Sequence, residues 1–272
     1  MAALLLHCLN RSSVGSVDSS LSVLESDCAS ANQPSSCLLL GEMGSGKTSL
    51  LFLTALLAAS DFGLKVVFLA PTQLQTRPPS LHGSRGAMDP HGLKRIQFIY
   101  PRKMNDLLQY IASLHNEKHL PSLIVVDKLD EYVYTASGGS RPLHAVARVC
   151  ALLLDTVSFV AQKRASTCDK GPGKKPCANC HVIVSFNVSQ AAPEQNPQKD
   201  QVLGVIERYF PVTCLMDQES GREGQKSWWI SFSSKYDKHL LMMAGEKRWS
   251  VTYSQNGEVE ICAVSSEKGE KS

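Results

Sequence analysis

The sequence predicts an α/β fold: a mixed, mainly parallel sheet flanked by helices, with an antiparallel extension toward the C-terminus. Three observations predict it. Short apolar runs at residues 37–40, 65–70, 96–100, 123–127 and 182–186 are separated by loops and helix-forming segments, the pattern of βαβ units. The run at 123–127 is apolar at every position except its last, Asp127, as expected of a strand covered on both faces of a parallel sheet. Beyond residue 225 the character changes: short strands at 226–233, 240–244, 249–253 and 259–264 are separated by Gly, Asp, Asn and Lys, which reads as hairpins.

Taken in order, residues 1–9 are apolar but lack the basic flank of a secretory signal, and residues 10–34 are Ser-rich. Residues 1–34 are therefore expected to be a flexible tail ahead of one domain spanning 35–264, with 265–272 fraying at the other end. The first strand runs into Gly41-Glu42-Met43-Gly44-Ser45-Gly46-Lys47-Thr48, and from Ser49 to residue 59 an apolar helix former follows. Asp61-Phe62-Gly63 stops that helix before the second strand. Residues 71–92 carry Pro, Gly, Ser and Arg without periodicity and read as a long loop. After the third strand, Pro101 turns the chain into a helix near 103–116, with Met104, Leu107, Leu108, Ile111 and Leu114 on one face. The strongest helix spans about 143–162, where Val146, Val149, Cys150, Leu153, Leu154, Val157 and Val160 make a broad apolar stripe. A loop from 164 to 179, the strand at 182–186, a helix near 201–208 and a strand at 213–216 complete the core.

Composition excludes some function classes. With 272 residues and 43% hydrophobic content the chain can build one substantial core and is expected to be a soluble globular protein. A net charge of +3 does not announce a nucleic-acid partner, so such a claim must rest on local clusters. No stretch approaches about 18 uninterrupted apolar residues, so no membrane association is expected. The nine cysteines are an odd number, and Cys37, Cys150, Cys214 and Cys262 sit in apolar runs, as small buried hydrophobes of a reducing compartment do.

The chemistry is concentrated at Gly41 to Thr48. Glycines at a strand-to-helix junction let successive N–H groups converge on phosphate oxygens; Lys47 can reach the β- and γ-phosphates and Thr48 can offer a hydroxyl to Mg²⁺. The helix N-terminus, from Ser49 on, adds positive potential beneath them. This predicts ATP and Mg²⁺ as cofactors. Asp127, at the end of an apolar strand, is the expected acidic partner of the metal. Hydrolysis also needs a group that orients a water, for which Asp130, Glu131, Gln73 and Asn187 lie at strand ends. Each could equally be a capping or turn residue.

More specific features accompany the loop: Asp89-Pro90, Leu93-Lys94-Arg95-Ile96-Gln97-Phe98, Tyr100-Pro101, Glu131-Tyr132, Ala151-Leu152-Leu153-Leu154-Asp155-Thr156, Arg208-Tyr209-Phe210-Pro211, and Trp228-Trp229 with Phe232. Over residues 37–233 the chain resembles RecA-like ATPases of the recombinase-paralogue group, and within them the vertebrate SWIM-type zinc-finger-protein-associated ATPases. The resemblance implies a RecA-like P-loop NTPase core, a nuclear location, and homologous-recombination repair of DNA double-strand breaks. It also implies three partners: a SWIM-type zinc-finger protein, a strand-exchange recombinase with its paralogues, and single-stranded DNA. Where strand-exchange recombinases carry a catalytic glutamate after the second core strand, this chain has Ala70-Pro71-Thr72-Gln73. Asn187 falls where they place an amide that senses the γ-phosphate. Gln73 and Asn187 are accordingly expected to face the nucleotide, Glu131 is the leading candidate for the base beside Lys47, and hydrolysis is expected to be slow or stimulated by a partner.

Two clusters remain. Cys177 and Cys180, with Cys168 before them and His181 after, could offer zinc ligands, but a second properly spaced pair is missing. Lys163, Arg164, Lys170, Lys174 and Lys175 gather around a Gly-containing loop and are the candidate DNA contacts. Basic residues also alternate with Trp228, Trp229, Tyr236 and Trp249 in the hairpin region. Against the recombinase-paralogue reading stand a scaffold in which ATP is structural and a small-molecule kinase. The extended strands after Ser227 do not suit the kinase.

Overall fold

The apolar run ahead of the phosphate loop forms β1 (Ser35–Gly41), and the sheet is arranged around it. The computed structural model describes residues 2–12, 35–75, 80–81, 90–135, 142–167, 179–188, 197–219, 226–234, 247–253 and 258–265. Before β1 comes α1 (Ala2–Ser12), and after it α2 (Lys47–Asp61), β2 (Val66–Leu69), β3 (Ser80–Leu81), α3 (Pro90–Leu93) and β4 (Ile96–Ile99). The chain continues through α4 (Met104–Ser113), a 3₁₀ turn at Leu114–Asn116, β5 (Leu123–Val126), α5 (Leu129–Thr135) and α6 (Pro142–Thr167). It ends with β6 (His181–Asn187), α7 (Pro197–Tyr209), β7 (Val212–Gln218), β8 (Lys226–Ser234), β9 (Lys247–Tyr253) and β10 (Glu258–Ser265).

Among the described residues these strands make one ten-stranded sheet in the order β3-β10-β9-β8-β7-β1-β6-β5-β2-β4. The six strands from β7 to β4 are mutually parallel, while β7 to β10 pair antiparallel in succession. The expected fold class is therefore the observed one. β1 is flanked by β6 and β7, so the chain leaves it in one direction for β2 and reaches the opposite neighbour only late. That reversal opens a crevice at the carboxyl ends of β1 and β6, where open parallel sheets bind ligands.

Alternate residues of the central strands feed two cores, as the pleat requires. Leu38, Val67, Ile124, Val182 and Val184 face α4, α5, α6 and α7, with Val146, Val149, Cys150, Leu153, Val157 and Val160 of α6 wholly buried on that side. By length and composition α6 could cross a bilayer, but its apolar stripe is taken up by this packing. Cys37, Leu39, Phe68, Val125 and Ile183 face α2, in a core they share with Trp228, Trp249 and Ile261 of the antiparallel strands.

The boundaries move outward in most places: α6 and α7 run several residues beyond their expected ends. α5, which is short and carries Asp130 and Glu131 in its first turn, is not legible in the sequence. The loop expected at 71–92 contains the bridge strand β3, paired parallel with β10, and the single turn α3. The strand expected at 240–244 lies outside the described residues.

The N-terminal tail is the main correction. Residues 2–12 are helical, and Leu4, Leu5, Leu6, Cys8 and Leu9 are buried against α2, β1 and β10. The reason lies in α2, whose side chains Leu50, Leu51, Phe52, Leu53, Thr54, Ala55, Ala58 and Ala59 are buried around most of its circumference. The sheet covers only one side of such a helix, so its other face needs a cover. His7 fastens the cover at the far end of α2, 3.2 Å from Asp61 and edge-on to Phe62. Residues 13–34 lie outside the described residues. Removing part of this contact should be costly: Leu5→Ala is expected to lower the unfolding free energy by about 3 kcal/mol, measured by urea denaturation. An unchanged midpoint would place α1 off the core.

Candidate nucleotide site

The phosphate loop closes on itself through glycine. Gly44 and Gly46 have φ of 83° and 85°, values that disfavour any residue with a Cβ. Gly41 is needed for space, since a Cβ there would lie 2.9 Å from Ser45 Oγ and 3.0 Å from the Met216 carbonyl oxygen. Ser45 N–H donates to the Glu42 carbonyl at 3.2 Å, while Met43 projects from the tip, largely exposed. α2 begins at Lys47 without a side-chain cap, leaving its first amide groups for another acceptor.

Lys47 is nearly buried, and its Nζ donates to the carbonyls of Gly41 (2.8 Å) and Glu42 (2.6 Å) and to Ser45 Oγ (3.0 Å). Burial pulls its pKa down to about 8, against the opposing pull of Asp130, Asp127 and Glu42.

Asp127 joins three elements. Its Oδ2 accepts from Thr48 Oγ1 at 2.7 Å and its Oδ1 from Ser185 Oγ at 2.6 Å. The Lys128 N–H in turn donates to Ser185 Oγ at 2.8 Å. The carboxylate is 1% exposed, and burial raises its pKa although both hydroxyls favour the ionised form. A buried carboxylate, a threonine hydroxyl and a serine hydroxyl form a set of hard oxygen donors that suits Mg²⁺. Thr48 and Asp127 would hold the ion, directly or through its waters. The bound ion would neutralise charge on the phosphates.

Lys128 has φ of 51°, a left-handed conformation unusual for a lysine. The turn it makes leads from β5 into α5, where the consecutive acids Asp130 and Glu131 point in directions about 100° apart. Asp130 is 8% exposed and faces β6: its Oδ1 accepts the Asn187 N–H at 3.1 Å and its Oδ2 the Asn187 side-chain amide at 2.8 Å. Glu131 points the other way, its side chain 41% exposed and paired with Lys128 at 3.2 Å. Asn187 is in register with Gly41, and the Val188 N–H donates to the Gly41 carbonyl at 3.1 Å, so the Asp130–Asn187 pair stands beside the phosphate loop.

The structure thus places Asp127 and Asn187 beside the loop Gly41 to Ser49, with Asp130, rather than the more exposed Glu131, the acid after Asp127 whose charge acts most on Lys47. Gln73 is exposed on the loop after β2 and does not join the group. Sequence reading missed Ser185, whose only signal was a lone hydroxyl in the apolar run Val182-Ile183-Val184-Ser185-Phe186.

The other clusters fare unevenly. Lys170, Lys174, Lys175, Cys168 and Cys177 lie outside the described residues. Cys180 is buried and its thiol is pushed up to about 12 by burial. Lys163 is exposed, with Nζ donating to the His115 carbonyl at 3.0 Å and lying 5.7 Å from the Phe159 ring centre. Arg164 donates to the Leu120 carbonyl at 3.2 Å, so both tie the end of α6 to the turn after α4. Trp228 and Trp249 are buried in the core that includes α2, which removes them as surfaces for base stacking, whereas Trp229 is half-buried.

A lysine must be protonated to hold a phosphate. With a pKa of about 8 in the nucleotide-free protein, Lys47 should bind ATP at full strength below that pH and progressively less well as pH rises through it. ATP affinity is expected to fall between about pH 7 and about pH 9.5, with growing proton uptake on binding, read by titration calorimetry in buffers of different ionisation enthalpy. A flat profile would remove Lys47 as the titrating group.

Comparison with known proteins agrees with this geometry. No family model matches the chain. Among solved structures, a KaiC-like protein of Pyrococcus horikoshii superposes with a TM-score of 0.52 over 85% of this chain and 89% of its own, at 14% identity, a likeness of fold alone. The human ATPase SWSAP1 is 32% identical over 213 residues, 72% of this chain and 84% of that protein. The mouse ATPase SWSAP1 is 28% identical over 225 residues, 82% of this chain and 72% of its own. With an intact phosphate loop, the Thr48–Asp127 pair and this extent of shared sequence, the chain belongs to the SWSAP1 ATPase family, on a RecA-like fold.

Proposed function

We propose that this chain is an ATP- and DNA-binding recombinase paralogue that acts in the nucleus. With a SWIM-type zinc-finger partner it supports assembly or stability of a strand-exchange recombinase filament during homologous-recombination repair, hydrolysing ATP slowly. The observation that carries the nucleotide part is the hydrogen-bonded Thr48–Asp127–Ser185 group at the mouth of a complete phosphate loop. ATP and Mg²⁺ supply the phosphoanhydride and the charge neutralisation. The chain's own groups do the rest: the loop amides and Lys47 bind the phosphates, and Thr48 and Asp127 fix the metal.

Slow turnover follows from the carboxylates. No acid stands at the Gln73 position, and Glu131 is neutralised by Lys128. Asp130 is the remaining group able to orient a water near Lys47, and burial raises its pKa, which favours accepting a proton. Its two oxygens already accept from Asn187, so they present fewer free lone pairs to a water. When a γ-phosphate engages the Asn187 amide, that restraint would loosen, linking nucleotide state to the β6 end.

DNA binding is supported by the positive charge of Lys163 with Lys170, Lys174 and Lys175, through phosphate contacts rather than stacking on Trp228 or Trp249. The scaffold reading draws on one observation of its own. Among the described residues, the hydrogen bonds of the Lys47 ammonium all go to the loop itself, to Gly41, Glu42 and Ser45, so its donors are satisfied before any nucleotide arrives.

ATP binding and turnover by the purified complex, with and without single-stranded DNA, test these readings. Lys47→Ala should weaken ATP binding by about tenfold or more. Asp130→Asn should cut turnover by about a hundredfold while leaving ATP affinity nearly intact, and Glu131→Gln should change neither. Equal turnover in wild type and Lys47→Ala would favour the scaffold. Neutralising Lys170, Lys174 and Lys175 should weaken DNA binding and flatten its salt dependence; unchanged binding would sink that assignment.

A further inference from the structure

The last residue of β9 reaches the phosphate loop from the antiparallel half of the sheet. Tyr253 Oη donates to the Gly46 carbonyl at 3.1 Å, across 207 residues of sequence. The same carbonyl accepts the Leu50 N–H at 3.0 Å, the first hydrogen bond of α2. Gly46 is the hinge between loop and helix, with φ of 85° and ψ of 12°. The tyrosine crowds it closely: a Cβ at Gly46 would lie 2.1 Å from Tyr253 Oη and 2.3 Å from Cζ. Tyr253 is itself anchored, since it pairs with Lys226 of β8 and Val259 of β10 and packs against the core that includes α1. Its phenol stays a donor at neutral pH, burial holding it protonated.

We propose that Tyr253 is a positioning residue for the phosphate site, fixing the Gly46 peptide so that the amides of Gly46, Lys47 and Thr48 keep their phosphate-binding orientation before nucleotide arrives. The proposal rests on the ATP-binding reading above. It gives the antiparallel extension a direct hold on the nucleotide site, through one hydroxyl at the point where the loop becomes a helix.

Tyr253→Phe removes that hydroxyl and keeps the ring. In the full chain, the Kd for ATP with Mg²⁺ and the Kd for inorganic tripolyphosphate should both rise about fivefold. The number of sites per chain should stay at the wild-type value. A purely structural tyrosine would act differently, lowering the fraction of competent sites and the thermal midpoint while leaving Kd unchanged; that result, or wild-type Kd values for both ligands, would overturn the proposal. Wild-type protein that binds neither ligand would overturn the ATP reading itself and this proposal with it, an outcome distinct from a variant that merely matches wild type.

Discussion

The buried carboxylate of Asp127 is the constraint around which the site is built. An isolated carboxylate with 1% exposure would cost several kcal/mol, so each of its oxygens must be matched. Thr48 from the start of α2 and Ser185 from β6 do this, and Lys128 continues the chain of hydrogen bonds. One side chain thereby fixes the separation of three elements. The hydroxyl that would meet the metal is oriented by the acid that would share it, so the loop is shaped before a ligand is present.

Around that group the fold holds the loop from two sides. β6 runs beside β1 and brings Asn187 level with Gly41, while β7 on the other flank places Met216 against the same glycine. Farther along the sheet, β9 ends in a tyrosine that touches Gly46. α1 packs against both α2 and β10, so the N-terminal helix and the C-terminal strands, distant in sequence, finish the same core. The extension is thus part of the support of the nucleotide site.

The charged groups of the site are coupled through their burial. Lys47, Asp127 and Asp130 stand close enough to influence one another, with Lys47 depressed by burial and both acids raised by it. Such a cluster is arranged to receive a phosphate and a cation together, since either alone leaves charge unmatched. Asp130 is committed to Asn187 and Glu131 to Lys128. Neither acid lies on the segment after β2, where Gln73 is exposed.

Much of this was legible in the sequence. The loop could be read because glycine, lysine and threonine at fixed spacing serve local backbone geometry. Asp127 could be read because a lone acid closing an apolar strand falls at the rim of the sheet, level with the phosphate loop. The parallel core and the later hairpins followed from the period and spacing of apolar runs. What depended on contacts far apart in the chain was not legible. Asp130 and Glu131 are neighbours on α5, about 100° apart around its axis, and it is Asn187 of β6, distant in sequence, that meets Asp130 while Glu131 is left toward solvent. The N-terminal residues read as a tail because a Ser-rich stretch follows them; Leu4 to Leu9 become the buried turns of a helix only because α2, β1 and β10 surround them. Local chemistry and periodicity are written residue by residue, whereas the direction a side chain takes is decided by what the fold places opposite it.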